Sequence, residues 1–330
     1  MSEERQVSRP GVVIEVLNRE RGEARDRAEL QAALRKRPRE IPSKLFYDQR
    51  GSDLFERITE LPEYYQTRTE RALLEKIADP VIAASGAREL IEIGSGAATK
   101  TRVLLDAMGR AGQLQLYVPF DVAEGTMRRS AEELIADYPG LAVHGIVGDF
   151  MAHLGRIPKG ERRLVVFLGG TIGNLGPEEV RRFLADLASA MAPGDHFLLG
   201  VDQIKDVARL EAAYNDAAGV TAEFNKNALL AVNRLTGGDF DPEAFRHHAP
   251  YNRELHRIEM WLLSLVRQVV HLRAVGMEFE LAQGEGIRTE ISTKYDRPRI
   301  EALLNGSGLT PLDWYTDPER LFGLSLSRKG

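Results

Sequence analysis

Residues 89–105 read ELIEIGSGAATKTRVLL, and this stretch decides the fold class. Leu90, Ile91 and Ile93 make the short apolar run of a buried parallel strand. The run breaks at Gly94-Ser95-Gly96, and Val103, Leu104 and Leu105 then resume with helical spacing. A strand has turned sharply into a helix. Glycines in such a turn let the backbone come close to a ligand, and the free amide groups of the first helical turn offer donors to an anionic or polar group.

The spacing separates two cofactor classes. The dinucleotide fingerprint needs glycines as G-x-G-x-x-G, and its third position is here Thr99. Glu92 before the turn, Gly94 and Gly96 within it, and small residues at Ala97 and Ala98 look instead like the first motif of S-adenosylmethionine-dependent methyltransferases. A glycine turn of this kind also joins strand to helix in α/β sheets that bind nothing there, so the neighbouring segments must decide.

Downstream, strand and helix alternate. Leu114 to Pro119 reads as a second strand ending at Phe120-Asp121, Ala142 to Val147 as a third ending at Gly148-Asp149-Phe150, and Leu164 to Leu168 as a fourth. The fourth ends in Gly169-Gly170-Thr171-Ile172-Gly173-Asn174-Leu175, Pro177 suits the first turn of the next helix, and His196 to Val201 is a fifth strand. This alternation predicts a doubly wound, mostly parallel sheet with ligands at the carboxyl ends of its strands, where every polar residue just named falls. Asp121 there can accept from both hydroxyls of a ribose, and Asp149 from an adenine amino group with the Phe150 ring beside the base. Taken singly, each could equally be a surface carboxylate. Their joint placement argues otherwise.

Before the turn, Val12 to Leu17 suits a short strand and Glu23 to Lys36 a solvated helix. Residues 41–67, IPSKLFYDQRGSDLFERITELPEYYQT, are rich in aromatics; Tyr47, Tyr64 and Tyr65 fall at or beside turns, where they either line a pocket or pack at the core margin. Thr67 and Glu70 have the spacing of a capping box, predicting a helix to about Ala84. After the fifth strand, Asp206 to Ala218 and Ala222 to Leu235 read as helices, and His256 to Ser292 as antiparallel strands forming an insertion. Arg299 to Asn305 predicts a last helix, and Leu309 to Trp314 with Leu321 to Ser327 a closing antiparallel pair.

Composition narrows the function. The chain has 330 residues, 43% of them hydrophobic, a net charge of −5 and no cysteine. Disulfides and thiolate chemistry are excluded, and the charge gives no reason to expect a nucleic-acid partner. No apolar run is long enough to span a bilayer, and MSEERQVSRP lacks the apolar core of a signal peptide, so a cytoplasmic location and no membrane partner are expected. His247 and His248 are expected in a loop or at the surface, since nothing near them completes a metal site.

Several stretches together resemble one family. IPSKLFYDQRGSDLFERITELPEYYQTR, ELIEIGSG with KTR, YVPFDV, GDF, FLGGTIGNL, the Tyr214 region and EGIRTEIS follow in order the pattern of the L-histidine Nα-methyltransferases of ergothioneine biosynthesis, which trimethylate histidine to hercynine. Ala97-Ala98 and Ala123 depart from it, standing where the family often has small polar residues or serine. The resemblance implies a Rossmann-like class I S-adenosylmethionine methyltransferase sheet (69–204 and 294–330) with a C-terminal antiparallel hairpin, plus a discontinuous α+β substrate-binding domain (12–68 and 205–293). It implies cofactor contacts from Gly94, Lys100, Asp121, Asp149 and Phe150, with Lys100 meeting the methionine carboxylate. On the substrate side it implies Tyr47, Tyr64, Gly169, Asn174, Tyr214, Met260, Glu290 and Ser292. Of these, Tyr47, Tyr64 and Asn174 would serve the reacting amine, and Glu290 with Ser292, alternating on a strand and so sharing a face, would bind the imidazole.

Free L-histidine is thus the expected partner, acted on by a monomer without metal. A methyltransferase acting on tryptophan or another aromatic amino acid is the nearest alternative, since histidine selection rests mainly on Glu290 and Met260. A non-catalytic S-adenosylmethionine sensor, or a methyltransferase of macromolecules, is the alternative of another class.

Overall fold

The computed structural model describes residues 6–9, 11–17 and 19–330. Part of the N-terminal stretch read above for a signal peptide lies outside the described residues. The chain divides into two compact units, one of residues 1–17, 66–204 and 294–330, the other of residues 18–65 and 205–293.

The larger unit is built on a nine-stranded sheet. Its strands are β1 (Gln6–Arg9), β2 (Val12–Val16), β3 (Glu89–Ile93), β4 (Leu116–Asp121), β5 (Ala142–Val147), β6 (Arg163–Phe167), β7 (His196–Asp202), β8 (Leu309–Thr316) and β9 (Phe322–Lys329). In space they run β1-β2-β5-β4-β3-β6-β7-β9-β8. From β2 to β7 neighbours are parallel; β1 on one edge and the β9-β8 pair on the other are antiparallel. The strand order reverses between β3 and β6, so the loops after these two strands flank the crevice where open α/β sheets bind ligands.

Both faces of the sheet are covered, which is why β3 is apolar almost throughout. Leu90 joins a layer with α1 (Tyr65–Ser85), α2 (Arg102–Arg110) and α3 (Glu124–Asp137), through residues such as Leu74, Leu104 and Ala131. Ile91 and Ile93 face α4 (Pro177–Ala190) and α5 (Arg297–Gly306), through Phe183, Leu187 and Ile300. Alternation of side chains across the pleat thus seats one strand in two cores.

The smaller unit places the helix Val220–Thr236 against antiparallel strands Phe245–His248, Arg257–Ser264 and Gly286–Thr293, with Arg39–Glu40 added in parallel. A separate hairpin pairs Gln268–Leu272 with Met277–Leu281.

Four expectations are corrected. Residues 12–17, assigned by sequence to the substrate-binding domain, belong to the larger unit, because Val12 and Ile14 are buried there and β2 pairs with β5. Residues 66–68 lie in that unit too. The helix expected from Asp206 to Ala218 is confined to Val207–Ala212, with Asp206 capping it through the Arg209 amide at 3.0 Å. His247 stands on a strand rather than in a loop and is half-buried. Among the described residues no helix is long and apolar enough to cross a membrane.

Candidate active site

At the end of β3, Gly94 (φ 70°) and Gly96 (φ 51°) take left-handed conformations that other residues adopt only under strain. The turn is held to β4 by backbone. Gly94 N–H donates to the Phe120 carbonyl at 2.8 Å, and Gly96 N–H donates to Asp121 Oδ2 at 2.9 Å. Ala123 N–H donates to Asp121 Oδ1, also at 2.9 Å. Each carboxylate oxygen has therefore one backbone donor and retains capacity for another. That acceptor pair, fixed in orientation at the end of β4, suits the two hydroxyls of a ribose, so the residues present fit an adenosine cofactor. At the end of β5, Asp149 caps the helical turn Phe150–His153 by accepting from Met151 N–H at 2.9 Å. The half-buried Phe150 ring stands edge-on to Phe167 and Phe183, with centroids 5.5 and 5.7 Å away.

Glu92, part of the sequence motif, has a buried carboxyl that takes the Thr101 hydroxyl at 2.5 Å and the Tyr117 hydroxyl. Burial pushes this acid up to about 7. Glu92 thus ties β3 to β4 and to the start of α2.

Glu70 was read as a capping residue, and the structure gives it another place. The helix begins at Tyr65, two residues before the expected cap, which puts Glu70 inside the first turns and fully buried. Its carboxylate accepts the Gly169 N–H at 2.8 and 2.9 Å and pairs with the Lys100 ammonium. Room for it comes from β7, where Gly200 lacks the Cβ that would run into Glu70 Oε1. Lys100, expected at a methionine carboxylate, is therefore engaged with Glu70. Gly169 and Gly170 (φ 76° and 66°) lead into the turn Thr171–Asn174, leaving Asn174 half-buried in the loop after β6. One signal could have found Glu70. It precedes Leu73, Leu74 and Ile77 by three, four and seven residues, placing a carboxylate on the apolar stripe of the helix.

The larger unit thus gathers Gly94, Lys100, Asp121, Asp149, Phe150, Gly169 and Asn174 at the carboxyl ends of its strands. The remaining expected residues lie in the smaller unit. There Tyr47 stands edge-on to Phe55 at 5.8 Å, Phe55 edge-on to Tyr64 at 6.1 Å, and Tyr64 edge-on to Tyr214 at 6.4 Å. The Tyr214 hydroxyl donates to Ser292 Oγ at 2.8 Å. Met260 and Glu290 are directly opposed across the strand pair, and Tyr214, Met260, Glu290 and Ser292 are all buried.

Behind this row lies a network that the sequence did not disclose. Asn225, fully buried, donates through Nδ2 to the Trp261 carbonyl at 3.0 Å, and the same nitrogen lies 2.8 Å from His247 Nδ1. Thr289 Oγ1 is 2.6 Å from Asn225 Oδ1 and 3.1 Å from the Met260 carbonyl. His247 Nε2 is 2.8 Å from the Tyr214 carbonyl, and burial lowers the pKa of its imidazole.

A parallel sheet that reverses at a glycine turn, a ribose-oriented carboxylate after the next strand and a terminal antiparallel pair together define a Rossmann-like, S-adenosylmethionine-dependent methyltransferase. More particularly, the chain belongs to the family described as histidine-specific methyltransferase, SAM-dependent, whose model matches residues 26–329. It is 49% identical to the histidine N-alpha-methyltransferase of Mycolicibacterium smegmatis, over 91% of this chain and 94% of that one. With the enzyme of the same name from Mycobacterium tuberculosis the identity is 45%, over 92% and 94% of the two chains. Ergothioneine biosynthesis protein 1 of Neurospora crassa is 32% identical over 88% of this chain, which corresponds to 33% of that longer protein.

Proposed function

We propose that this enzyme methylates the α-amino group of free L-histidine, three times in succession to give hercynine, and so performs the first step of ergothioneine biosynthesis. The observation that carries this reading is the family match across nearly the whole chain, including the strands that bear Met260, Glu290 and Ser292. S-adenosylmethionine, when bound, supplies an electrophilic methyl group; Asp121, Asp149, Phe150 and the Gly94 turn would hold it. The protein's own work is to orient a neutral amine and keep water out.

In this reading Asn174 and Tyr214 hold the amino-acid carboxylate, and the Gly169 carbonyl with Asn174 the amino group. Glu290 and Ser292 bind the imidazole, and Met260 shapes the apolar wall beside it. A phenol of pKa near ~10 is a weak base at neutral pH, so Tyr47 and Tyr64 orient the amine rather than take its proton. Each transfer leaves an ammonium that must release a proton to solvent before it regains a lone pair, and a loosely hydrogen-bonded amine site then lets the nitrogen turn that lone pair toward fresh cofactor. Lys100, whose ammonium is also paired with Glu70, would meet the methionine carboxylate with its remaining donors.

The test is incubation with S-adenosylmethionine and each amino acid in turn, followed by mass spectrometry. Histidine should gain three methyl groups and other amino acids none. A product that stops at one methyl at long times overturns trimethylation, methylation of tryptophan instead overturns the substrate, and tight cofactor binding without turnover overturns catalysis. Glu290→Ala should raise the histidine KM while leaving affinity for S-adenosylhomocysteine unchanged; equal losses in both would remove Glu290 from the imidazole site.

A further inference from the structure

We propose that Asn225 is the positioning residue of the amino-acid cradle, a single buried carboxamide that fixes the three segments bearing Tyr214, Met260 and Glu290. This rests on the substrate-side reading above and adds a residue that touches no substrate.

The orientation of the amide follows from its neighbours. The Trp261 carbonyl can only accept, so the Asn225 atom 3.0 Å from it is the NH2 group. The same NH2 faces His247 Nδ1 at 2.8 Å, so Nδ1 must accept and the ring carries its proton on Nε2. Nε2–H then donates to the Tyr214 carbonyl at 2.8 Å, which sets the backbone from which the Tyr214 phenol reaches Ser292. On its other side, Asn225 Oδ1 accepts from Thr289, the residue before Glu290, whose hydroxyl also lies 3.1 Å from the Met260 carbonyl.

The bonds that Asn225 and His247 make have fixed directions, and the single Thr289 proton lies nearer Asn225 Oδ1 than the Met260 carbonyl. The bonds converge where the ladder is irregular, since the pairing of Arg257–Ser264 with Gly286–Thr293 slips between Met260 and Trp261. Met260 stays opposite Glu290 and Trp261 opposite Arg288, so the bulge leaves Thr289 without a ladder partner, and its hydroxyl bonds instead to Asn225 and to the Met260 carbonyl. Because the network is neutral and buried, losing one partner leaves donors or acceptors unsatisfied, and the strands shift rather than the whole unit unfolding.

The experiment uses the full-length enzyme and three measurements. In 15N-histidine-labelled protein without substrate at neutral pH, long-range 1H–15N spectra should show His247 as the Nε2–H tautomer; the Nδ1–H tautomer overturns the proposal. Asn225→Ala should raise the histidine KM about tenfold to a hundredfold, with kcat within about threefold and the S-adenosylhomocysteine dissociation constant within about twofold. Thr289→Val, which keeps the volume and deletes one hydroxyl, should raise the same KM about threefold to tenfold, and it keeps the test open if Asn225→Ala does not fold. A folded Asn225→Ala with unchanged histidine KM, or with histidine and cofactor affinities lowered alike, overturns the role. Glu290→Ala run alongside separates the two readings. If it also leaves the histidine KM unchanged, the cradle itself is misplaced; if it raises the KM while Asn225→Ala does not, only the Asn225 role is lost.

Discussion

The two units support their functional groups with different chemistry. In the larger unit the backing is ionic: Glu70 with Lys100 and Asp202 with Lys294 at 2.7 Å, each pair with at least one partner buried. In the smaller unit, which also holds a buried ion pair of Glu259 with Arg257 at 2.6 Å, the backing around Asn225 is neutral: an amide, an imidazole and hydroxyls. The difference follows from what must be held. Glu70 fixes a loop through one backbone N–H, and a charged acceptor makes that single bond strong. Asn225 fixes strands relative to one another, for which direction matters more than strength. Ionic backing should therefore be costly to break, and neutral backing should be sensitive to the placement of single hydrogen atoms.

The largest expected effect is on stability. Glu70→Ala leaves the Lys100 ammonium and the Gly169 N–H without their acceptor, and should cost about 3 kcal/mol in denaturant unfolding. A cost no larger than that of Thr289→Val would break the distinction between the units.

Next comes the response to pH, which should have opposite sign in the two units. Glu92 is raised to about 7 by burial, so the folded state binds its proton more tightly than the unfolded chain does. Its contribution is full below pH about 4.5 and is lost as pH rises through about 7, a change of roughly 3 kcal/mol that Glu92→Gln should abolish. His247 is lowered by burial, so its contribution is present above pH 6.5 and is lost as pH falls through its folded value. Hydrogen exchange at pH 5.5 and pH 8 should show β3 and β4 better protected in acid and the Phe245–His248 strand better protected in base. The same trend in both units would remove the contrast.

Smaller is the effect of Asp121→Asn, which retains one acceptor oxygen but loses the charge. Calorimetry should find S-adenosylhomocysteine bound about tenfold more weakly, with histidine KM measured at saturating cofactor unchanged. Smallest is Arg181→Ala, which removes an exposed pair with Glu178 on α4 and should shift unfolding by less than about 0.5 kcal/mol.

Much of the larger unit could be read from the chain. Short, mostly apolar strands ended in glycine or an acid, and the structure keeps each of the five within a few positions. The partner of β2 was not legible, because parallel pairing is settled by tertiary packing and not by spacing within the strand. Glu70 and Asn225 were missed for one shared reason. Each sits on the apolar stripe of a helix, Asn225 with Ala228, Leu229 and Val232 at helical spacing after it, where a polar residue can be told from a solvated one only by what it faces. A polar side chain on such a stripe was the available warning, and for Glu70 the coincidence with a capping pattern concealed it.

The bare position at Gly200 has a bearing on how this site can change. A methyl group there would displace the carboxylate that steadies the loop after β6, and a shorter acid at 70 would leave a hollow beside the sheet. Neither position can drift by itself without loss. Remodelling that loop for another acceptor, by selection or by design, therefore begins with a coupled exchange deep in the sheet, well before any residue that meets the substrate is altered.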